Sequence, residues 1–267
     1  APAPPRPAAP PAARPQATPV VAAVEVARVL FALGTVEVQK PGASWSAASE
    51  EQPLAIGDRI RTAEGATARI EFPWTQVAMG DSTEIAIEKA VFLTLRLERG
   101  RVDIDPEQDL LRIVTGEAAI SGTGRTLVRR GNGITFVASY DGGAAIEAKG
   151  AVVRLGVNKG STITAGNAPG AATLLPAPPV VVSPAADPRY VRPNEVTRLT
   201  WTGEQAAYHL EVLPIDSDIP VMSLDTDTKS REIALPWLGT FRWRVVGRVG
   251  TTESQPSGEG LICVVEK

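Results

Sequence analysis

Thr94-Leu-Arg-Leu-Glu98, followed directly by Arg99-Gly100 and Arg101-Val-Asp-Ile104, decides how this sequence reads. Leu95 and Leu97 fall on one side of an extended chain and Arg96 and Glu98 on the other, the two-residue period of a strand with one buried face. Arg99-Gly100 interrupts the pattern, which predicts two strands, one ending near Leu97 and the next spanning Arg101 to Ile104.

The same grammar extends in both directions. Upstream, Val36-Glu-Val38 stops at Lys40-Pro-Gly42, and Arg59 to Thr62 and Thr67 to Phe72 flank Ala63-Glu-Gly65. Downstream, Arg125 to Arg130 meets Ile134 to Tyr140 through Gly131-Asn-Gly133, and the next strand follows Asp141-Gly-Gly143. Asn-Gly and Asp-Gly tolerate the positive φ of tight hairpins, so two consecutive hairpins are expected here. Ala168 to Pro188 contains six prolines, and beyond it further strands are expected at Val196 to Trp201, Ala206 to Leu213, Ser230 to Leu235, Thr240 to Val249 and Leu261 to Val265. Their spacing suits a small antiparallel sandwich. Alternation sends Tyr208, Leu210, Val212, Phe241, Trp243 and Val245 inward, with Trp201 completing an aromatic core, and sends His209, Glu211, Arg242 and Arg244 outward to solvent.

The expected organisation is a Pro/Ala-rich tail (1–23), a β domain (24–167), a Pro-rich linker (168–188) and a β-sandwich (189–267). The first nineteen residues hold eight prolines, a composition suited to polyproline II and to a disordered tether. The chain starts at Ala1, which reads as one whose targeting segment has been removed. Among 267 residues, 43% are apolar but only 5% aromatic, so the cores must rely on Val, Ile, Leu and Ala. A net charge of −3 from interspersed charges offers no field for nucleic acid. Val20 to Leu33 is broken by Glu25 and Arg28 and falls short of the ~20 apolar residues that span a bilayer.

The stretch from about Val26 to Gly166 resembles the FecR family of extracytoplasmic domains. The resemblance rests on Gly34-Thr-Val-Glu-Val38, Trp45-Ser-Ala47, Leu54-Ala-Ile-Gly57-Asp58-Arg-Ile-Arg-Thr62, Ala68 to Phe72, the Leu95-x-Leu-x-x-Gly100-x-Val102 pattern, and Lys149-Gly-Ala-Val-Val153 with Ala165-Gly166. It implies an all-β solenoid or roll with Gly57 and Asp58 as a structural turn. Leu199-Thr-Trp201, Ala207 to Val212 and Gly239 to Val245 are similar to fibronectin type III-like, immunoglobulin-like modules. Some FecR-type proteins are membrane-spanning regulators; this chain is closer to stand-alone members that combine the domain with sandwich modules in the periplasm.

No residue set announces catalysis. The one imidazole, His209, lies mid-strand away from any nucleophile motif, and one His with one Cys cannot build a typical zinc site. Cys263 is expected to be buried as a small apolar side chain. Asp216, Asp218, Asp225 and Asp227 lack the spacing of a calcium loop. No cofactor, metal or catalytic residue is therefore expected. Candidate partner-binding residues are Arg242, Arg244, Arg248 and His209 on the outward strand face, and Trp74 and Trp237 in loops. The functional expectation is a non-enzymatic cell-envelope scaffold binding other proteins, with self-association as one form of it. The alternatives are a FecR-type signalling module and a peptidoglycan or glycan binder that stacks sugars on Trp74 or Trp237.

Overall fold

The computed structural model describes residues 24–89, 93–105, 111–216, 220–250 and 252–266. The tail expected over 1–23 lies outside these residues, as does Asp218 of the acidic cluster. Every regular element described is a strand.

In chain order the first seventeen are β1 (Glu25–Leu33), β2 (Val36–Gln39), β3 (Ser46–Ala47), β4 (Pro53–Ala55), β5 (Arg59–Thr62), β6 (Thr67–Phe72), β7 (Thr75–Met79), β8 (Glu84–Lys89), β9 (Leu93–Ile104), β10 (Leu111–Val114), β11 (Ala119–Thr123), β12 (Thr126–Gly131), β13 (Ile134–Ser139), β14 (Gly143–Ala148), β15 (Ala151–Leu155), β16 (Lys159–Thr164) and β17 (Thr173–Leu174). They form two stacked layers. The first holds β2, β3, β5, β8, β10, β11, β14 and β15; the second holds β1, β4, β6, β7, β12, β13, β16 and β17.

Strand β9 belongs to both. Its first half pairs with β8 and, in parallel, with β10, while its second half pairs with β7 and β12. The sequence predicts two strands here; the chain instead makes one strand that bends at Gly100, where φ is +92°. Leu95, Leu97, Val102 and Ile104 all enter the core between the layers. The bend lets one strand change layers without breaking, because glycine alone adopts this φ freely. A Cβ at Gly100 would also collide with the Thr83 backbone. Gly100→Val is therefore expected to destabilise this pair of layers by about 3 kcal/mol or more, read as a lower urea midpoint.

Two turn readings separate. Asn132 (φ +53°) and Gly133 (φ +71°) close the β12–β13 hairpin as expected. Asp141-Gly142 does not close a second hairpin: β14 pairs with β11 and β15 in the other layer. The Asp141 side chain accepts a hydrogen bond from the Arg125 N–H at 2.5 Å, so this turn anchors a crossing between layers. At the corner read from sequence, Gly57 has φ +89°, and buried Asp58 accepts from the Ala55 N–H at 2.8 Å and from Lys40 Nζ at 2.6 Å.

The remaining strands are β18 (Val180–Ser183), β19 (Arg189–Val191), β20 (Val196–Thr202), β21 (Ala207–Pro214), β22 (Met222–Thr226), β23 (Ser230–Ala234), β24 (Gly239–Val249), β25 (Thr252–Pro256) and β26 (Gly260–Val264). A six-stranded sheet, β19-β26-β24-β21-β22 with β25 on β24, packs on a three-stranded sheet, β18-β20-β23. Trp201, Tyr208, Phe241 and Trp243 share the core between them. Trp201 meets the Tyr208 ring edge-on at 5.6 Å and the Trp243 ring at 6.2 Å. The proline-rich stretch before this sandwich is structured in part: β17 pairs with β16, and Leu175 is buried against Phe136 and Tyr140.

Candidate functional site at the junction of the two β blocks

Alternation gives β9, β12 and β13 a second face. Val102, Val128 and Val137 point into the first core, so Arg101, Asp103, Leu127, Arg129 and Phe136 point the other way. In the sandwich, Leu210, Val212, Trp243 and Val245 point into the second core, which turns His209, Glu211, Leu213, Arg244 and Val246 outward. These two outward faces meet. Four layers are thus stacked, with apolar cores between the outer pairs and a charged seam between the middle two.

Arg101 is the centre of the seam. Its Nη1 donates to Glu211 Oε1 at 2.8 Å and to His209 Nε2 at 2.6 Å. Its Nη2 lies 3.1 Å from Asp103, and its Nε lies 3.5 Å from Glu253. Glu211 also accepts from Arg244 Nε at 2.6 Å and has Arg125 at 3.9 Å, while Arg129 approaches Glu253 at 3.7 Å. Burial pushes the Glu211 carboxyl up, but Arg244, Arg101 and their neighbours outweigh it and hold the group well below the usual carboxylate range. Burial opposes the charge on Arg101 too, and Asp103, Glu253 and Glu211 more than restore it. Tyr140, beneath Arg125 at 5.1 Å, is pushed far up by burial.

This geometry corrects the sequence reading of the outward face. His209 and Arg244 are 1% and 5% exposed, because the first block covers them. Arg248 is engaged with Asp225, and Arg242 donates to Glu259 at 2.7 Å. Of the set expected to meet an outside partner, His209 meets Arg101 of the first block, while Arg242, Arg244 and Arg248 pair with carboxylates of their own sandwich. Trp74 and Trp237 remain open, at 41% and 40% exposed. Cys263 is half-buried rather than sealed in the core.

A residue the sequence did not flag, Ser223, lies beside His209. Ser223 Oγ is 2.9 Å from His209 Nε2, and His209 Nδ1 is 2.7 Å from Asp225 Oδ1. The order matches a Ser-His-Asp triad, but the chemistry differs. A guanidinium only donates, so Arg101 occupies the Nε2 lone pair that would have to take the serine proton, and Nδ1–H donates to Asp225. Ser223 is itself buried. As folded, the set is a hydrogen-bonded strut that ties β21 and β22 to Arg101. Asp81, close by, is raised by burial and by the Asp225 charge. Among the described residues, no group of three or more His, Cys, Asp or Glu is arranged to hold a metal ion.

Two clefts flank the seam. One, of about 430 Å³, is lined by Asp81, Arg101, Arg129, His209, Asp225 and Glu253 among others. The other, of about 820 Å³, opens beside the β6–β7 turn at Trp74.

No family model and no curated relative matches this chain. Solved structures similar to it include a protein from Parabacteroides distasonis assigned as an anti-sigma factor, at 18% identity and a TM-score of 0.37, over 41% of this chain and 56% of that one. Another is the chicken CNTN1 FN1-FN3 domains, at 9% identity and a TM-score of 0.28, over 91% of this chain and 96% of that one. Both scores lie below the level at which two chains share a fold, so the all-β architecture rests on the strands themselves. No helix among the described residues is long and apolar enough to cross a membrane.

Proposed function

We propose that this protein is a non-enzymatic adaptor of the bacterial cell envelope, built from a FecR-like β block and a fibronectin type III-like sandwich, that binds other envelope proteins as one rigid body. The observation that carries this reading is the buried seam. Its charged residues, which on a reactive surface would face substrate, are spent on locking two β blocks together through Arg101, Glu211 and Glu253. What remains for partners is the outside: short edge strands such as β15 and β22, and loops bearing Trp74 and Trp237. The FecR-like motifs between Val26 and Gly166 support an extracytoplasmic, periplasmic setting.

Affinity capture from envelope extracts tests the reading, with the wild-type chain compared against Arg101→Met. A partner retained by the rigid wild type and lost or weakened tenfold by the variant is expected; equal recovery by both would remove rigidity from the account. An active-site serine probe provides the second check. A fluorophosphonate is expected to leave Ser223 unlabelled, because Arg101 holds the base, and stoichiometric labelling there would overturn the non-enzymatic assignment.

A further inference from the structure

The first layer of the first block ends in an open strand edge. Its order finishes β11-β14-β15, and among the described residues β15 pairs with β14 alone. Lys149 (φ +50°) and Gly150 (φ +75°) join the two as a two-residue turn in which both positions are left-handed. Such a turn fixes the hydrogen-bond pattern beyond it. Ala148 and Ala151 exchange backbone bonds, as do Ile146 and Val153, so Val152 and Arg154 aim their N–H and C=O groups away from β14. The pairing runs without a register shift and β15 contains no proline, so neither of those devices for blunting an edge is present.

The side chains along this edge are as unfinished as its backbone. Val153 and Ala172 are only partly buried against the first core, and Leu174 of β17, the edge of the facing layer, is 75% exposed. Val152 stands 56% exposed on the solvent side. One more strand with apolar residues on its inner face would close the core here.

Charge narrows what that strand is. Further into the same layer the solvent face is laced by matched pairs, Arg112 with Glu147, Arg96 with Glu88 and Arg61 with Glu37. At its end, Lys149 and Arg154 are exposed and have no ion-pair or hydrogen-bond partner among the described residues, and neither has Lys159 just beyond the strand. A second copy of β15 would bring the same cations against these, and like charges across a strand pair oppose each other. A segment carrying carboxylates at every second position would instead supply the partners that this end lacks.

We propose that β15 is the docking edge for an extended segment of a partner protein in which apolar residues alternate with carboxylates. The segment's main chain pairs with Val152 and Arg154, its apolar side chains cover Val153 and Leu174, and its carboxylates face Lys149 and Arg154. This inference rests on the adaptor reading and specifies the chemistry of the partner.

The test adds a short synthetic peptide alternating glutamate and valine to the full chain and follows amide exchange by nuclear magnetic resonance. At a peptide concentration ten times Kd, the Val152 and Arg154 amides are expected to slow about tenfold, while those of Ala151 and Val153, already bonded to β14, keep their rates. Val152→Pro deletes an outward N–H and spares the β14 ladder, and Arg154→Glu reverses the charge. Each should weaken peptide binding about tenfold, with the dispersed strand resonances as the control that both fold. A counterpart alternating lysine and valine that binds equally well would overturn the proposal, as would protection that falls on β22 in place of β15. Absence of protection would overturn it too and would leave the cations as guards of a bare edge. Protection that appears in concentrated protein without peptide would assign the edge to a second copy, against the proposal. An envelope partner recovered equally by wild type and Val152→Pro would exclude this edge and leave the adaptor reading standing.

Discussion

Arg101→Met is expected to cost about 3–5 kcal/mol and to separate the unfolding of the two β blocks, the penalty for leaving buried charges without their partner. Methionine fills a similar volume, so the loss is chiefly electrostatic. Glu211 would keep Arg244, but Glu253 would be left with Arg129 at 3.7 Å, and His209 Nε2 would lose its 2.6 Å donor. Urea unfolding followed by the sandwich tryptophans and by backbone signal should change from one coincident transition to two. Arg112→Met is the control: the Arg112–Glu147 pair is about half exposed on both sides, and such pairs contribute less than about 1 kcal/mol. An Arg101 effect no larger than that of Arg112 would mean that the seam holds nothing.

Acid should open the same seam without dissolving the cores. The Glu211 carboxyl lies well below its ordinary range in the folded chain, so its stabilisation is complete above the unfolded value, about 4.3, and is lost as pH falls through that value toward the depressed one. Asp225, which burial pushes up and His209 holds down more strongly, behaves in the same direction. Asp81 is raised and acts oppositely, gaining stability on protonation, but it faces Asp225 at the rim while Glu211 sits at the centre. The net expectation is a seam that weakens progressively as pH falls below about 4. Amide exchange should accelerate first in β21 and the second half of β9, while Trp201 and Trp243 retain their near-ultraviolet signal. Uniform loss of both would show that seam and cores are one cooperative unit.

Much of the fold was legible because its signals are local. Leu95 and Leu97 against Arg96 and Glu98, Asn132-Gly133, and the inward series Tyr208-Leu210-Val212 each need only a few residues to be read, and each took the expected place. The failures share one cause. Alternation says which residues share a face and is silent on what covers it, so a charged face against another charged face reads like one in water. His209, Glu211 and Arg244 were misread in this way, although Leu213 and Val246, fully buried on the same side, carried the signal of a covered surface. Asp141-Gly142 failed similarly, since a turn's chemistry fixes its φ angles and leaves open which layer the next strand joins. Ser223 met His209 only through the β21–β22 pairing, a long-range register that spacing does not encode.

Arg101 and its carboxylates bridge two separately cored blocks, and the proposed function requires that this bridge hold them as one rigid body. The most direct measurement is an electron-spin distance between labels on exposed strands of each block, Val152→Cys and Val196→Cys in a Cys263→Ser background, at neutral pH with and without Arg101→Met. A single narrow distance in the parent that broadens markedly in the variant is predicted; a broad distribution in the parent, or no change on losing Arg101, would contradict it.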